Sequence, residues 1–246
     1  MSKHNCMLAH IYDPKRVTFP AFVQPKLNGV RAIFKFQDGK WQFISRQGNV
    51  LLIPHIAAHF GRLPFQTDHL PSLDGEIYIH GKPFDYISGL ARLQTDLEEH
   101  KKELEYHVYD IQSDLPFSKR IKNIWLEHDK VIRVPTYDVR SIQDIEESHE
   151  LFLSQGYEGT MIRNDTPYEF KRSYNLLKLK SWQRQTCWIM SLNEGTGKYE
   201  GMLGSFAVKN EEGRCFNVSG KLTDADRQRF WDLKSHLWDK KIVIKY

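Results

Sequence analysis

Gln24-Pro25-Lys26-Leu27-Asn28-Gly29-Val30-Arg31 is the stretch that most narrows what this chain can fold into. It sets a lysine in a tight turn between two apolar, strand-like runs, Ala21-Phe22-Val23 and Val30 to Phe36. The second run is rich in β-branched and aromatic residues, which suit a pleated surface, and Asn28-Gly29 supplies turn chemistry between the two. A lysine at the mouth of a β turn is ordinarily a solvated cation. Lys26 acquires meaning only through what the rest of the chain brings to it.

Strand signals continue beyond it. Asp38-Gly39 marks a hairpin whose returning strand is Trp41 to Ser45. Leu73 to Ile79, Tyr106 to Ile111, Val131 to Tyr137, Tyr157 to Arg163 and Leu176 to Lys180 read as further strands. Helical spacing appears over Ile53 to Phe60, Phe84 to about Glu105, Phe117 to His128 and Ser141 to Gln155. Ser141 is a natural N-cap for the last of these, and Gly156 a natural end. After Trp182 the character changes to three short strands, Cys187 to Asn193, Gly204 to Asn210 and Arg214 to Ser219. One helix, Thr223 to Trp238, and a last strand, Lys240 to Tyr246, follow. Short strands with one inserted helix suggest a small barrel. The expected division is therefore 1–181 and 182–246, in an α+β protein.

Composition excludes several classes. With 40% hydrophobic and 27% charged residues in 246, wholesale disorder is ruled out. The net charge of +4 permits a nucleic-acid partner without announcing one, and residues 182–246 hold most of it, with 11 Lys/Arg against 8 Asp/Glu. Cys6, Cys187 and Cys215 lie far apart with no Cys-x-x-Cys pair, which points away from a disulfide framework and toward a reducing compartment. The apolar run Val50-Leu51-Leu52-Ile53 breaks at Pro54, too short for a bilayer, and no signal-peptide core follows Met1. A soluble cytoplasmic protein without a membrane partner is expected.

Familiar motifs fail. Gly195-Thr196-Gly197-Lys198 has Leu192 and Tyr199 where a phosphate loop needs Gly and Ser or Thr. His55 and His59 have helical spacing, but Ile56 stands where a zinc protease carries its glutamate. No Gly-x-Ser-x-Gly elbow occurs.

Five segments remain, each at the end of a predicted strand. They are Lys26-Leu27-Asn28-Gly29 with Arg31, Ser45-Arg46-Gln47-Gly48, and Leu73-Asp74-Gly75-Glu76-Ile77. Tyr106 to Ile111 paired with Glu158-Gly159-Thr160-Met161-Ile162-Arg163, and Leu176-Leu177-Lys178-Leu179-Lys180, complete the set. Each alone is a turn or a strand face. In this order they resemble the signature set of the covalent nucleotidyltransferases, the superfamily of ATP-dependent DNA ligases, RNA ligases and messenger-RNA capping enzymes. The resemblance covers roughly residues 20 to 246.

The resemblance implies a two-sheet nucleotidyltransferase domain, similar to the ATP-grasp arrangement, followed by an OB-fold barrel. It implies ATP and Mg²⁺ (or Mn²⁺) as cofactors. Lys26 would be the nucleophile, with Lys178 and Lys180 on the α-phosphate and Gln24, Pro25, Arg31, Glu76 and Tyr109 around the nucleotide. Tyr109 would stack on the purine and Glu76 would bind the ribose. Glu158, with Glu76, would serve the metal. Arg46, Arg31 and Arg163 would meet the DNA acceptor strand. Asn28 replaces the usual Asp. Gln24 stands where many ligases carry a Glu that reads the adenine amino group, and its carbonyl can accept that hydrogen bond.

The chemistry explains the residue types. A free lysine has a pKa of about 10.4, so on the order of one in a few thousand is nucleophilic at pH 7. Neighbouring cations disfavour the ammonium and neutralise phosphate oxygens, and oxygen ligands suit Mg²⁺.

Gly195 to Phe206 looks like the OB-domain signature of ATP-dependent DNA ligases, and the chain as a whole resembles their minimal bacteriophage and viral type. Lys198, Lys209, Lys221 and the Arg227/Arg229 pair would then face a duplex backbone. The resemblance implies a monomeric enzyme of DNA repair or replication that seals 5′-phosphate/3′-hydroxyl nicks in duplex DNA through lysyl-AMP and an adenylylated 5′-end, in the host cytoplasm if viral. It also implies a fifth OB strand that orients pyrophosphate, whereas four are counted through Tyr246, so the last strand is expected to be missing. An RNA ligase of the same superfamily, or a non-catalytic OB-type nucleic-acid-binding protein with a degenerate cleft, remains the alternative.

Overall fold

The structure, a computed structural model, describes residues 5–60, 71–93, 98–124, 129–181 and 184–245. The chain divides into two compact units, 1–181 and 182–246.

The first unit begins with β1 (Leu8–Ile11), β2 (Ala21–Lys26), β3 (Val30–Gln37), β4 (Lys40–Ser45) and β5 (Val50–Leu51). Helix α1 (Pro54–Phe60), β6 (Leu73–Tyr78), α2 (Phe84–Arg92), α3 (Glu98–Lys101), β7 (Glu105–Ile111) and α4 (Phe117–Lys122) follow. Strands β8 (Val131–Arg133) and β9 (Tyr137–Val139), helix α5 (Ile142–Ser154), and strands β10 (Gly159–Asn164) and β11 (Arg172–Lys180) complete it. One sheet has the order β1-β11-β10-β2-β9 and the other β5-β4-β3-β6-β7-β8.

Lys26, expected in a turn, is instead the last residue of β2, and β2 does not pair with β3. β2 lies in the first sheet and β3 in the second, so residues 27–29 carry the chain from one sheet to the other. The crossing is tight: a Cβ on Gly29 would sit 2.3 Å from the Ile77 carbonyl oxygen. A cleft between the sheets therefore opens beside the lysine.

Apolar alternation supplies the cores. Phe34, Phe43, Ile77, Tyr106 and Val108 fill the second sheet's inner face with α2 and α4, while Val23, Ile145, Phe152, Ile162 and Leu177 join α5 to the first. Helix α5 starts as expected. Ser141 Oγ accepts from the Asp144 N–H while Asp144 accepts from the Ser141 N–H, a reciprocal capping box.

Some expectations are corrected. The predicted strand Val131 to Tyr137 is two strands in different sheets, because Pro135 has no N–H to continue a ladder. Phe84 to Glu105 holds two helices, with 94–97 outside the described residues, and the helix predicted over Phe117 to His128 ends at Lys122, with 125–128 outside the described residues. β1, which pairs parallel with β11, was not anticipated, being too short to show a period.

The second unit contains β12 (Arg184–Glu194), β13 (Leu203–Asn210), β14 (Cys215–Val218), α6 (Asp224–Asp232) and β15 (Lys241–Lys245). The described strands form an open sheet, β14-β13-β12-β15, rather than a closed barrel. Cys187, Ile189, Leu203, Phe206 and Val208 make its core. The predicted helix ending at Trp238 stops at Asp232 and tightens into a 3₁₀ turn at Lys234–His236.

Two substitutions in α5 separate capping from packing. Ser141→Ala is expected to cost ~1 kcal/mol, and Phe152→Ala, at a side chain 1% exposed, about 3–5 kcal/mol. Denaturant melts that rank the two equally would contradict this account.

Candidate active site

Strand register assembles the site. β10 pairs antiparallel with both β2 and β11, and the register aligns Lys26 with Gly159 and Gly159 with Lys180. Two residues further along, on the same faces, Gln24, Met161 and Lys178 form the next row, and Phe22, Arg163 and Leu176 the one after. Three short strands, one of them far from the other two in sequence, thus present one continuous face.

Glu158, immediately before β10, donates its backbone N–H to the Lys26 carbonyl at 3.1 Å. Its carboxylate pairs with both the Lys26 and the Lys180 ammonium groups. Gly159 allows this approach, since a Cβ there would lie 2.2 Å from the Leu179 carbonyl oxygen. Burial works to raise the Glu158 carboxyl, but the hydrogen bonds and charges of Lys180 and Lys26 prevail and hold it below the usual range. Lys178 is shifted downward, first by burial and then by the charges of Lys180 and Lys26. The three lysines therefore repel one another around a single shared carboxylate.

A cavity of 360 Å³ in the first unit adjoins this row. Gln24, Pro25, Lys26, Arg31, Arg46, Glu76, Tyr109, Arg163 and Lys178 all line it. The volume lies within the range that holds a small ligand, about 300–1,000 Å³. Lys180 and Glu158 stand beside Lys26 and are not part of the lining. Arg46 is exposed at the wall, whereas Tyr109 is half-buried on the cavity side of β7, opposite the buried Tyr106 and Val108.

Two guanidinium groups prove to be fixed. Arg31 donates through Nε (2.9 Å) and Nη2 (2.5 Å) to the fully buried Asp74, and through Nη1 to the Met7 carbonyl at 2.6 Å. Arg163 was expected to meet DNA. At 3% exposure it instead pairs with Asp110 at 2.7 Å and donates Nε–H to Gln24 Oε1 at 2.8 Å. A group so buried and so engaged is part of the cavity wall.

Sequence reasoning gave Asp74, Asp110 and Thr136 no role. Asp74 shares the cavity-side alternation with Glu76, a clue in the Leu73–Tyr78 strand, but nothing local to Thr136 reveals that its hydroxyl accepts from Gln24.

The donor set bears on a metal. No cluster of three or more His, Cys, Asp or Glu exists among the described residues. Mg²⁺ is usually held by one or two carboxylates together with substrate phosphates, which Glu158 between two lysines fits. Glu76 fits less well. It accepts the Gly29 N–H at 3.2 Å, and burial pushes its carboxyl up to about 7 against the pull of Lys26 and Arg31.

In the second unit Lys198, Lys209 and Lys221 are exposed, and Lys198 lies over the Tyr199 ring at 4.5 Å. Arg227 is not available to a duplex. It is 8% exposed and donates to the Leu203 and Gly204 carbonyls at 2.7 and 3.0 Å.

Comparison with known proteins accords with this geometry. A family model for the ATP dependent DNA ligase domain matches residues 6–180, and one for a DNA ligase OB-like domain matches 194–246. A DNA ligase of African swine fever virus (isolate Pig/Kenya/KEN-50/1950) is 30% identical over 248 residues, covering 91% of this chain and 58% of that protein. The chain thus spans less than two thirds of this viral relative. A DNA ligase of Haemophilus influenzae is 30% identical over 227 residues, covering 87% of this chain and 77% of that protein. A solved Lig E DNA ligase superposes with a TM-score of 0.80 at 21% identity, over 98% of this chain and 91% of that one. The Chlorella virus DNA ligase-adenylate gives 0.57 at 24% identity, over 98% and 91%. At these identities the solved structures speak to the fold.

The raised Glu76 pKa has a testable sign. A carboxyl at about 7 when folded and near its ordinary 4.5 when unfolded favours the fold in its neutral form, and that contribution is lost as pH rises from 4.5 through 7. Glu76→Gln removes the titration. The Tm of the wild type minus that of the variant is expected to be more positive at pH 5 than at pH 8, and a difference independent of pH would overturn this assignment.

Proposed function

The chain belongs to the ATP-dependent DNA ligase family, and we propose that it is a nick-sealing enzyme that joins 5′-phosphate and 3′-hydroxyl ends in duplex DNA at the expense of ATP. The observation that carries this reading is Lys26 at the edge of a nucleotide-sized cavity, with Lys178 and Lys180 brought alongside by strand register and Glu158 paired to it.

In the first step Lys26 Nζ attacks the α-phosphorus of ATP. A P–N bond forms, the bond to the bridging oxygen of pyrophosphate breaks, and the lysine gives up a proton. Lys26 is paired with the Glu158 carboxylate, and that pair has to open before attack. Lys178 and Lys180 are placed to neutralise the α-phosphate oxygens as charge grows there. A divalent cation, when bound, would neutralise triphosphate charge and draw on Glu158 as its oxygen ligand.

Tyr109 offers its ring to the purine, and Glu76 is the acceptor for a ribose hydroxyl. AMP then passes to the 5′-phosphate of the nick, a step for which Arg46 is the exposed cation at the cavity wall. The 3′-hydroxyl finally displaces AMP and forms the phosphodiester. Lys198, Lys209 and Lys221 are read as backbone contacts that position the duplex without reading its sequence. We read the protein as a monomer acting in the cytoplasm. No helix among the described residues is long and apolar enough to cross a membrane.

Incubation with α-labelled ATP and Mg²⁺, followed by denaturing electrophoresis, tests the first step. The wild type is expected to carry covalent label, and Lys26→Ala to lose it by roughly 10³-fold or more. Covalent label that survives in Lys26→Ala would refute the assignment of the nucleophile. Nicked duplexes with DNA or RNA strands then separate a DNA ligase from an RNA ligase.

A further inference from the structure

Gln24 is 1% exposed yet lines the cavity, and its side-chain amide is held by three partners whose hydrogen-bonding sense is fixed. Its Nε2 donates to the Tyr109 carbonyl at 3.0 Å and to Thr136 Oγ1 at 2.9 Å. Its Oε1 accepts from Arg163 Nε at 2.8 Å. A backbone carbonyl only accepts and a guanidinium only donates, so a flipped amide would set donor against donor and acceptor against acceptor. Thr136 takes the accepting role because its own hydroxyl donates to the Val134 carbonyl at 3.1 Å. Arg163 is itself locked by Asp110, with Nη1 to Oδ2 at 2.7 Å.

An amide has two N–H donors and a carbonyl oxygen with two lone pairs. Both N–H groups are spent on Tyr109 and Thr136, and Arg163 takes one lone pair. What Gln24 has left is one acceptor site. The Tyr109 residue that holds the amide through its carbonyl also turns its ring toward the cavity, so the reading group and the stacking platform are fixed to each other.

We infer that Arg163 and Thr136 are positioning residues that set nucleobase selection, by holding Gln24 so that it accepts a hydrogen bond from a purine 6-amino group and offers no donor to a 6-carbonyl. This rests on the proposed adenylylation reaction, with the purine stacked on Tyr109. Adenine and 2,6-diaminopurine carry the amino group, whereas guanine and hypoxanthine present a carbonyl that would face the Gln24 oxygen.

The test is kcat/KM for covalent labelling of the full chain with ATP, 2,6-diaminopurine riboside triphosphate, GTP and ITP. The wild type is expected to use the first two and to disfavour GTP and ITP by about 10²-fold or more, the scale for leaving a buried polar group opposed. Arg163→Met frees the amide to turn and is expected to lower the ATP:ITP ratio by roughly tenfold, whereas Arg163→Lys, which keeps a donor, retains it within about threefold. Thr136→Val, a milder change, is expected to lower the ratio by about threefold and carries the test if Arg163→Met fails to fold. A purely structural role would depress all four nucleotides alike. Equal use of ATP and ITP by the wild type, or an unchanged ratio in folded variants, overturns the inference while leaving adenylylation intact. Absence of covalent label from every nucleotide in the wild type overturns both.

Discussion

The antiparallel pairing of β10 with β2 on one side and β11 on the other is the constraint on which the site depends. It sets Lys26, Gly159 and Lys180 side by side, with Glu158 one residue before that row and paired to both lysines, and Gln24, Met161 and Lys178 one step further on. Because side chains alternate with a period of two, a slip of one residue would turn each row away from the cleft. Glu158 answers two ammonium groups with one carboxylate and leaves Lys178 as an additional positive charge nearby. A surplus of positive charge beside a cavity of this size favours a polyanion before any detailed contact is made.

Buried acids hold the walls of that cavity. Asp74 fixes Arg31, and Asp110 lies between Arg120 and Arg163, 2.7 Å from each. Buried ion pairs contribute little net stability once desolvation is counted. What these supply is direction: each guanidinium is kept from swinging into the cleft or out to solvent. Removal of either aspartate leaves a buried cation uncompensated, which is far more damaging than the pair is stabilising.

Much of this was legible in the sequence where signals are local. The Asp38-Gly39 hairpin and the Ser141 cap each announce themselves within a few residues, and the structure has them, whereas the expected lysine turn is a strand end at Lys26 followed by a crossing to the other sheet. The order of the five motifs was legible as a resemblance, and Lys26, Glu158, Lys178 and Lys180 do converge. The illegible part is tertiary. Nothing in the run Val131 to Tyr137 except Pro135 hints that its halves enter different sheets. Arg163 reads as a cation available to a phosphate until burial and Asp110 are seen, and Arg227 reads likewise until it is found bonded to Leu203 and Gly204. Hydrophobic period reports which face is inside, but it does not report which buried charge has found a partner.

The Gln24 amide also fastens the architecture. Gln24 belongs to β2 in the first sheet, the Tyr109 carbonyl to β7 in the second, and Thr136 to the segment that passes from β8 to β9 between them. One side chain therefore bridges both sheets and the strand crossover at the depth of the cavity. On the proposed reading, a replacement of Gln24 that alters base preference also removes one of the links between the two sheets, leaving the Arg163–Asp110 pair. Nucleobase preference, as proposed, and part of the joining of the two sheets thereby share one side chain. A route to a new preference through Gln24 therefore gives up one inter-sheet link and leaves more of that duty to the Arg163–Asp110 pair.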